Sequence, residues 1–126
     1  MLKMIVINWR KPEISLEEFN HHWYVNHGDL VKKHATAMGF LRYVQSHKIP
    51  NAEIEAFAAD RGWQEAPDGV TEVWWESLES MTTALSSPEG QAASAALEAD
   101  EVNFVASKKL SAFLSEEKVI FDFTKS

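Results

Sequence analysis

SLEEFNHHWYVNHGDLVKKH, residues 15–34, is the stretch that decides the fold. Ser15 and Glu18 stand at capping-box spacing, in which the serine hydroxyl accepts from a free backbone N–H and the glutamate reaches back. The spacing predicts a helix from about Leu16 to about Lys33. Leu16, Phe19, Trp23 and Leu30 form its apolar stripe, and His27 falls on the same stripe, four residues after Trp23 and three before Leu30. Gly28, inside the helix, costs roughly 1 kcal/mol relative to alanine, so a break or bend is expected there. A titratable imidazole on a core-facing stripe is either a satisfied structural group or the beginning of a site.

Met1–Trp9, upstream, reads as a strand rich in Ile and Val, apolar on both of its alternating faces. Lys11-Pro12 ends it. Downstream, Gly39 closes a turn and FLRYVQSHKI, Phe40–Ile49, reads as a second strand. One of its faces carries Leu41, Tyr43, Gln45 and His47. Asn51–Gly69 is a long connection with a short helix expected over Ala52–Asp60 and a turn at Ala66–Gly69. Val70–Glu76 is the third strand, with Glu72, Trp74 and Glu76 on one face and Val73 and Trp75 on the other. Ser77 is placed to cap a helix through about Ser86. Ser87-Pro88 restarts helix, and Gln91–Ala99 is a good helix former. Asp100 is read as the cap of one further turn, with Phe104 as its inward anchor. Phe113–Phe123 is read as the fourth strand, its alternation clearest at Val119, Phe121 and Phe123.

The order is β-α-β, a connection, then β-α-β. That is the ferredoxin-like split βαβ arrangement of an α+β protein: a four-stranded antiparallel sheet with helices on one face. The whole of residues 1–126 is expected to be a single domain. Helices on one side leave the other face of the sheet bare, yet the first strand is apolar on both faces and the third carries aromatics on both. A second copy of the chain is the economical cover, so a homodimer is expected.

Composition narrows the function. With 45% hydrophobic and 25% charged residues the chain is an ordinary globular protein, and five Trp and seven Phe provide flat apolar surface for a core or a pocket. A formal net charge of −7 argues against nucleic acid or an anionic membrane as a partner. No apolar run reaches membrane-spanning length, the N-terminal run is too short for a signal peptide, and a cytoplasmic location is expected. The absence of cysteine excludes disulfides, thiolate catalysis and cysteine-ligated metal. There is no H-E-x-x-H zinc pattern and no phosphate-binding glycine loop, so no metal and no cofactor is expected.

WRKPEISLEEFNHHWYVNHGDL, FLRYVQSH, DGVTEVWWESLESMTTALSSPEG and DEVNF together resemble, in that order, the EthD-like family of the dimeric α/β-barrel superfamily. The most specific pieces are Trp23/His27, Arg42–His47 and Glu72/Trp74. The resemblance implies a ferredoxin-like fold, pairing into a dimeric α/β barrel, and a site between the sheet and the first helix. It implies chemistry that needs no metal or flavin from the protein. The family takes its name from ethyl tert-butyl ether degradation. It includes fungal polyketide-pathway decarboxylases or dehydratases, a methylmuconolactone isomerase is similar, and a generic oxidoreductase label is common.

The leading expectation is a small cofactor-independent enzyme of lyase, isomerase or oxygenase type acting on an apolar cyclic or aromatic oxygenated metabolite. His27 is the expected proton-transfer residue, kept neutral by burial. Tyr43 and His47, on one strand face, are expected to border the same cavity and hold a substrate oxygen. Glu72 is expected either to orient a histidine or to pair with Arg42 on the neighbouring strand. Trp23, Trp74 and Phe104 are the expected walls. His21, His22 and His34 are given no role. The alternative is a non-catalytic binding or accessory dimer in a catabolic or polyketide pathway; a haem protein with His27 or His47 as axial ligand is a further rival.

Overall fold

The computed structural model describes residues 1–124. Its strands are β1 (Leu2–Asn8), β2 (Arg42–His47), β3 (Gly69–Trp75) and β4 (Ser111–Ser115), all antiparallel, in the spatial order β2-β3-β1-β4. The helices are α1 (Leu16–His21), α2 (Gly28–His34), α3 (Ala52–Asp60), α4 (Leu78–Ser86) and α5 (Pro88–Glu101). This is the ferredoxin-like α+β arrangement expected from the element order.

The local signals hold where they rest on short-range chemistry. Glu18 N donates to Ser15 Oγ at 3.0 Å and Ser15 N donates to Glu18 Oε1 at 3.2 Å, a complete capping box. Ser77 caps α4 through Ser80 N, and Asn51 caps α3 through Ile54 N. The irregularity expected at Gly28 occurs one turn earlier. His22–His27 is a π-helical segment between α1 and α2, and the Gly28 N–H closes it onto Trp23 O and Val25 O.

The second strand is shorter than Phe40–Ile49 by two residues at each end, and two readings in the last third of the chain are corrected. The fourth strand ends at Ser115 instead of Phe123. Among the described residues its neighbour is β1, and the ladder between them ends where Lys3 pairs with Ser115. Val119, Ile120, Phe121 and Phe123 are therefore left 70–89% exposed despite their alternation. Asp100 does not cap a new turn. Helix α5 runs unbroken from Pro88 through Glu101, and the Asp100 side chain is used elsewhere.

The register sorts the side chains into two layers. Met4, Val6 and Asn8 share the helix-covered face with Tyr43, Gln45, His47, Thr71 and Val73. Ile5, Ile7, Val44, Val70, Trp74 and Phe113 belong to the opposite face. On the helix side the core forms two clusters. Phe19, Trp23, Phe104 and Val105 make one; Val31, Met38, Ala93 and Leu97 make the other. At Gly69 the Trp23 indole lies so close that an added Cβ would meet its ring carbons at 2.5 and 2.7 Å. Glycine is the residue that admits this ring onto β3.

Candidate functional site

The two core clusters do not merge. Between them, under the helices and against the sheet, is a cavity of about 420 Å³. Trp23, Phe104 and Val105 wall one side and Val31, Met38 and Leu97 the other, and His27, Tyr43 and Glu101 also line it. Ser94, Glu98 and Ser107, all exposed, form its rim. A second, wider groove of about 930 Å³ runs along the outside of α2 and β2, and shares Val31, Phe40 and Tyr43 with the inner cavity.

His27 is 5% exposed, and its ring packs 5.1 Å from that of Phe104. Its Nδ1 lies 2.9 Å from Asp100 Oδ2, while the other oxygen of that carboxylate lies 2.9 Å from His22 Nε2. Asn103 Nδ2 donates to the same Oδ1 at 3.2 Å. The π segment makes this sharing possible. In an α-helix two residues five apart point roughly 140° away from one another; the wider i→i+5 turn cuts that to roughly 50°. His22 and His27 are thereby turned toward one carboxylate on α5.

The electrostatics fix the tautomer. Burial pushes the His27 imidazole below its ordinary value, against the opposing pull of the Asp100 bond. Burial alone would raise the Asp100 carboxyl, but the bonds from His22, His27 and Asn103 outweigh it and hold the group low. An ionised carboxylate only accepts, so neutral His27 carries its proton on Nδ1. Its Nε2 keeps a lone pair and has no hydrogen-bond partner among the described residues.

The other expected site residues divide between places. Tyr43 lies with His27 on the inner cavity; burial raises its phenol, and Gln45 Nε2 approaches its hydroxyl at 3.4 Å. His47 lines the outer groove only, where its ring stacks on Trp23 at 4.5 Å. Gln45 donates to Trp23 O at 2.8 Å, so its Oε1 accepts from His47 Nε2 at 2.7 Å. Burial depresses the His47 imidazole as well. Trp23 and Phe104 are cavity walls. Glu72 and Trp74 are on the opposite face of the sheet and reach neither cavity. Glu72 Oε2 accepts from Lys3 Nζ at 2.6 Å rather than meeting a histidine or Arg42, and Arg42 lies over the Trp74 ring at 4.6 Å.

The residues the sequence reading passed over are Asp100, His22 and Glu101. Helical phase within Gln91–Glu101 could have grouped Leu97, Glu101 and Ser94 on one face, but nothing local tells that this face meets the first helix. None of residues 51–67 lines either cavity, so the long connection does not shape the pocket. Among the described residues no helix is long and apolar enough to cross a membrane, and no group of three or more His, Asp or Glu is set to hold a metal.

The sheet order, the one-sided helices and the buried histidine cavity define a ferredoxin-like α+β domain with an internal site. The chain belongs to the EthD family: the EthD domain model matches residues 11–108. It is similar to an ethyl tert-butyl ether D (EthD) family protein from Bacillus halodurans, with 20% identity, a TM-score of 0.61 and coverage of 94% of this chain and 99% of that one. It also resembles SnoaB, a cofactor-independent oxygenase from Streptomyces nogalater, at 12% identity and a TM-score of 0.52 over 96% and 97% of the two chains. A dimeric ferredoxin-like protein of unknown function from Thermobifida fusca is similar at 10% identity and a TM-score of 0.56 over 90% and 88%. No curated protein matches the chain.

Proposed function

We propose that this EthD-family chain is a small enzyme that moves a proton on an apolar cyclic or aromatic oxygenated metabolite, with His27 as the base. The observation that carries this reading is the His27–Asp100 pair at the wall of an otherwise apolar cavity. Asp100 fixes the ring and stabilises the imidazolium that forms when Nε2 takes a proton. Tyr43 supplies a phenolic donor for a substrate oxygen, and Trp23 and Phe104 supply flat walls. His47 acts indirectly, by stacking on Trp23. Lyase, isomerase and cofactor-independent oxygenase chemistry all fit a histidine base in such a cavity, and SnoaB, of like fold, is a cofactor-independent oxygenase. The active species in this proposal is a homodimer joined through the open face of the sheet, where Ile5, Val44, Val70 and Phe113 surround the Glu72 carboxylate that Lys3 neutralises. That two neighbours of like fold are described as dimeric supports the pairing.

Native mass spectrometry of freshly purified protein tests both parts, giving the mass of the assembly and of any co-purified metabolite. His27→Ala is expected to keep the dimer and bind that metabolite without converting it. If the substitution lowers stability and leaves conversion intact, His27 is structural and the proposal fails. If neither protein converts the metabolite, the chain is a binding module.

A further inference from the structure

The same cavity holds a second ionisable group with no partner. Glu101, the last residue of α5, lines it with His27 and Tyr43. Its carboxyl has no hydrogen bond and no ion pair among the described residues. The titratable groups that line the cavity are His27, Tyr43, Glu98 and Glu101; neither lysine nor arginine does. Asp100, one residue before it on α5, adds a third carboxylate close by. We infer that Glu101 is the general acid of this site, and that the cavity takes a neutral apolar carbonyl compound in preference to a carboxylate.

The inference rests on the reading of His27 as the base and assigns that base its counterpart. A half-buried carboxyl with no cation beside it and two acidic neighbours is more readily protonated than a free one. Burial, then Glu98, then Asp100 raise it above its ordinary value. His27 is lowered in the same chamber, so the two groups move toward each other, a change that favours a neutral imidazole beside a protonated carboxyl. The charge balance selects the ligand. A bound carboxylate would meet Glu98 at the rim and have no lysine or arginine in the lining to pair with, whereas a ketone, enol or lactone oxygen accepts from the Glu101 O–H or the Tyr43 O–H.

The step balances without an oxidant or a co-reactant. His27 Nε2 takes a proton from the carbon next to the carbonyl, and the C–H electrons form the enol double bond. The carbonyl oxygen takes the Glu101 proton, leaving an imidazolium and a carboxylate. Return of the enol proton to Glu101, with delivery from His27 to carbon, restores both groups.

The probe is 2-tetralone, a neutral bicyclic ketone, in deuterated buffer, with exchange of its α-hydrogens followed by proton NMR. Wild type is expected to exchange them faster than buffer. Glu101→Gln and His27→Gln are each expected to cut the enzyme-dependent rate by about 10²–10⁴-fold. Loss in His27→Gln with no change in Glu101→Gln leaves His27 as base and overturns the acid role of Glu101. No change in His27→Gln overturns the proposed function itself, and no exchange by wild type overturns both for neutral ketones. Two further measurements stand apart from turnover. Carbon-13 NMR of the Glu101 carboxyl is expected to give a midpoint above the usual glutamate value of about 4.3, and a midpoint at or below it overturns the inference. Naphthalene-2-carboxylate is expected to leave the His27 and Tyr43 resonances unmoved at concentrations where 2-tetralone shifts them, and equal binding overturns the selectivity.

Discussion

Replacing Asp100 by asparagine keeps the size and one acceptor oxygen but removes the charge that two imidazoles share. At 2.9 Å the attraction between that carboxylate and a protonated His27 has a gross value of about 6 kcal/mol at an effective dielectric constant near 20. Desolvation and the competing bond to His22 consume much of it. What survives for a close pair of this kind is about 1–3 pKa units, each worth about 1.4 kcal/mol. Asp100→Asn is therefore expected to lower the His27 midpoint further by about 1–2 units. It also frees Nδ1 of its obligatory acceptor. The assay is nitrogen-15 NMR of the imidazoles across the pH range, which reads tautomer and midpoint together. Wild-type His27 is expected in the Nδ1–H form, and Asp100→Asn to lose that preference as the midpoint falls. Wild-type His27 in the Nε2–H form, or a midpoint that stays put or rises in Asp100→Asn, would refute the assignment of Asp100 as the orienting carboxylate.

Other outcomes follow from the same geometry. Gly69→Ala places a Cβ against the Trp23 ring and Ser46 O, and should cost about 1–3 kcal/mol in urea denaturation through overpacking; an unchanged midpoint would mean that Trp23 moves freely. His27, His47 and Asp100 all have folded values below their unfolded ones, so the unfolded chain binds more protons as pH falls. The contribution of these three groups is therefore expected to be full above about pH 6.5 and to fall below it, first as the histidines titrate and then Asp100; equal urea midpoints at pH 7.5 and 5 would contradict this. Glu101 has the opposite sign, its contribution being present below the usual glutamate range and lost as pH rises through its raised folded value, so Glu101→Gln should gain stability relative to wild type at pH 8. Phe113→Asp, on the open face of β4, should convert the dimer to monomer in sedimentation at micromolar concentration, and a wild-type monomer would remove the proposed pairing.

Much of this fold was legible because its signals are local. The Ser15–Glu18 box, the Ser77 cap and the alternation of β1 and β3 each depend on residues within a turn or two, and each is where the sequence places it. The end of β4 was not legible, because Val119–Phe123 alternates as a strand does yet lies beyond Ser115, the last residue paired with β1. Half of the site was legible as well. His27, Trp23 and Tyr43 meet at one cavity because their helix and strand phases both point inward. Glu72 did not meet them, since alternation tells which residues share a face and not which face the helices cover.

The sequence by itself determined the order of elements, the apolar stripe with a histidine in it, and the absence of thiol chemistry. Only the tertiary structure decided what that histidine touches. His22 was given no role, and in a regular α-helix it would point away from His27. The π segment undoes that by widening a single turn, and so brings both rings to Asp100, more than seventy residues away in the chain. Such a widened turn leaves no mark in a hydrophobic pattern, because its stability comes from the contacts it makes across the fold, among them the Gln45 side chain on Trp23 O.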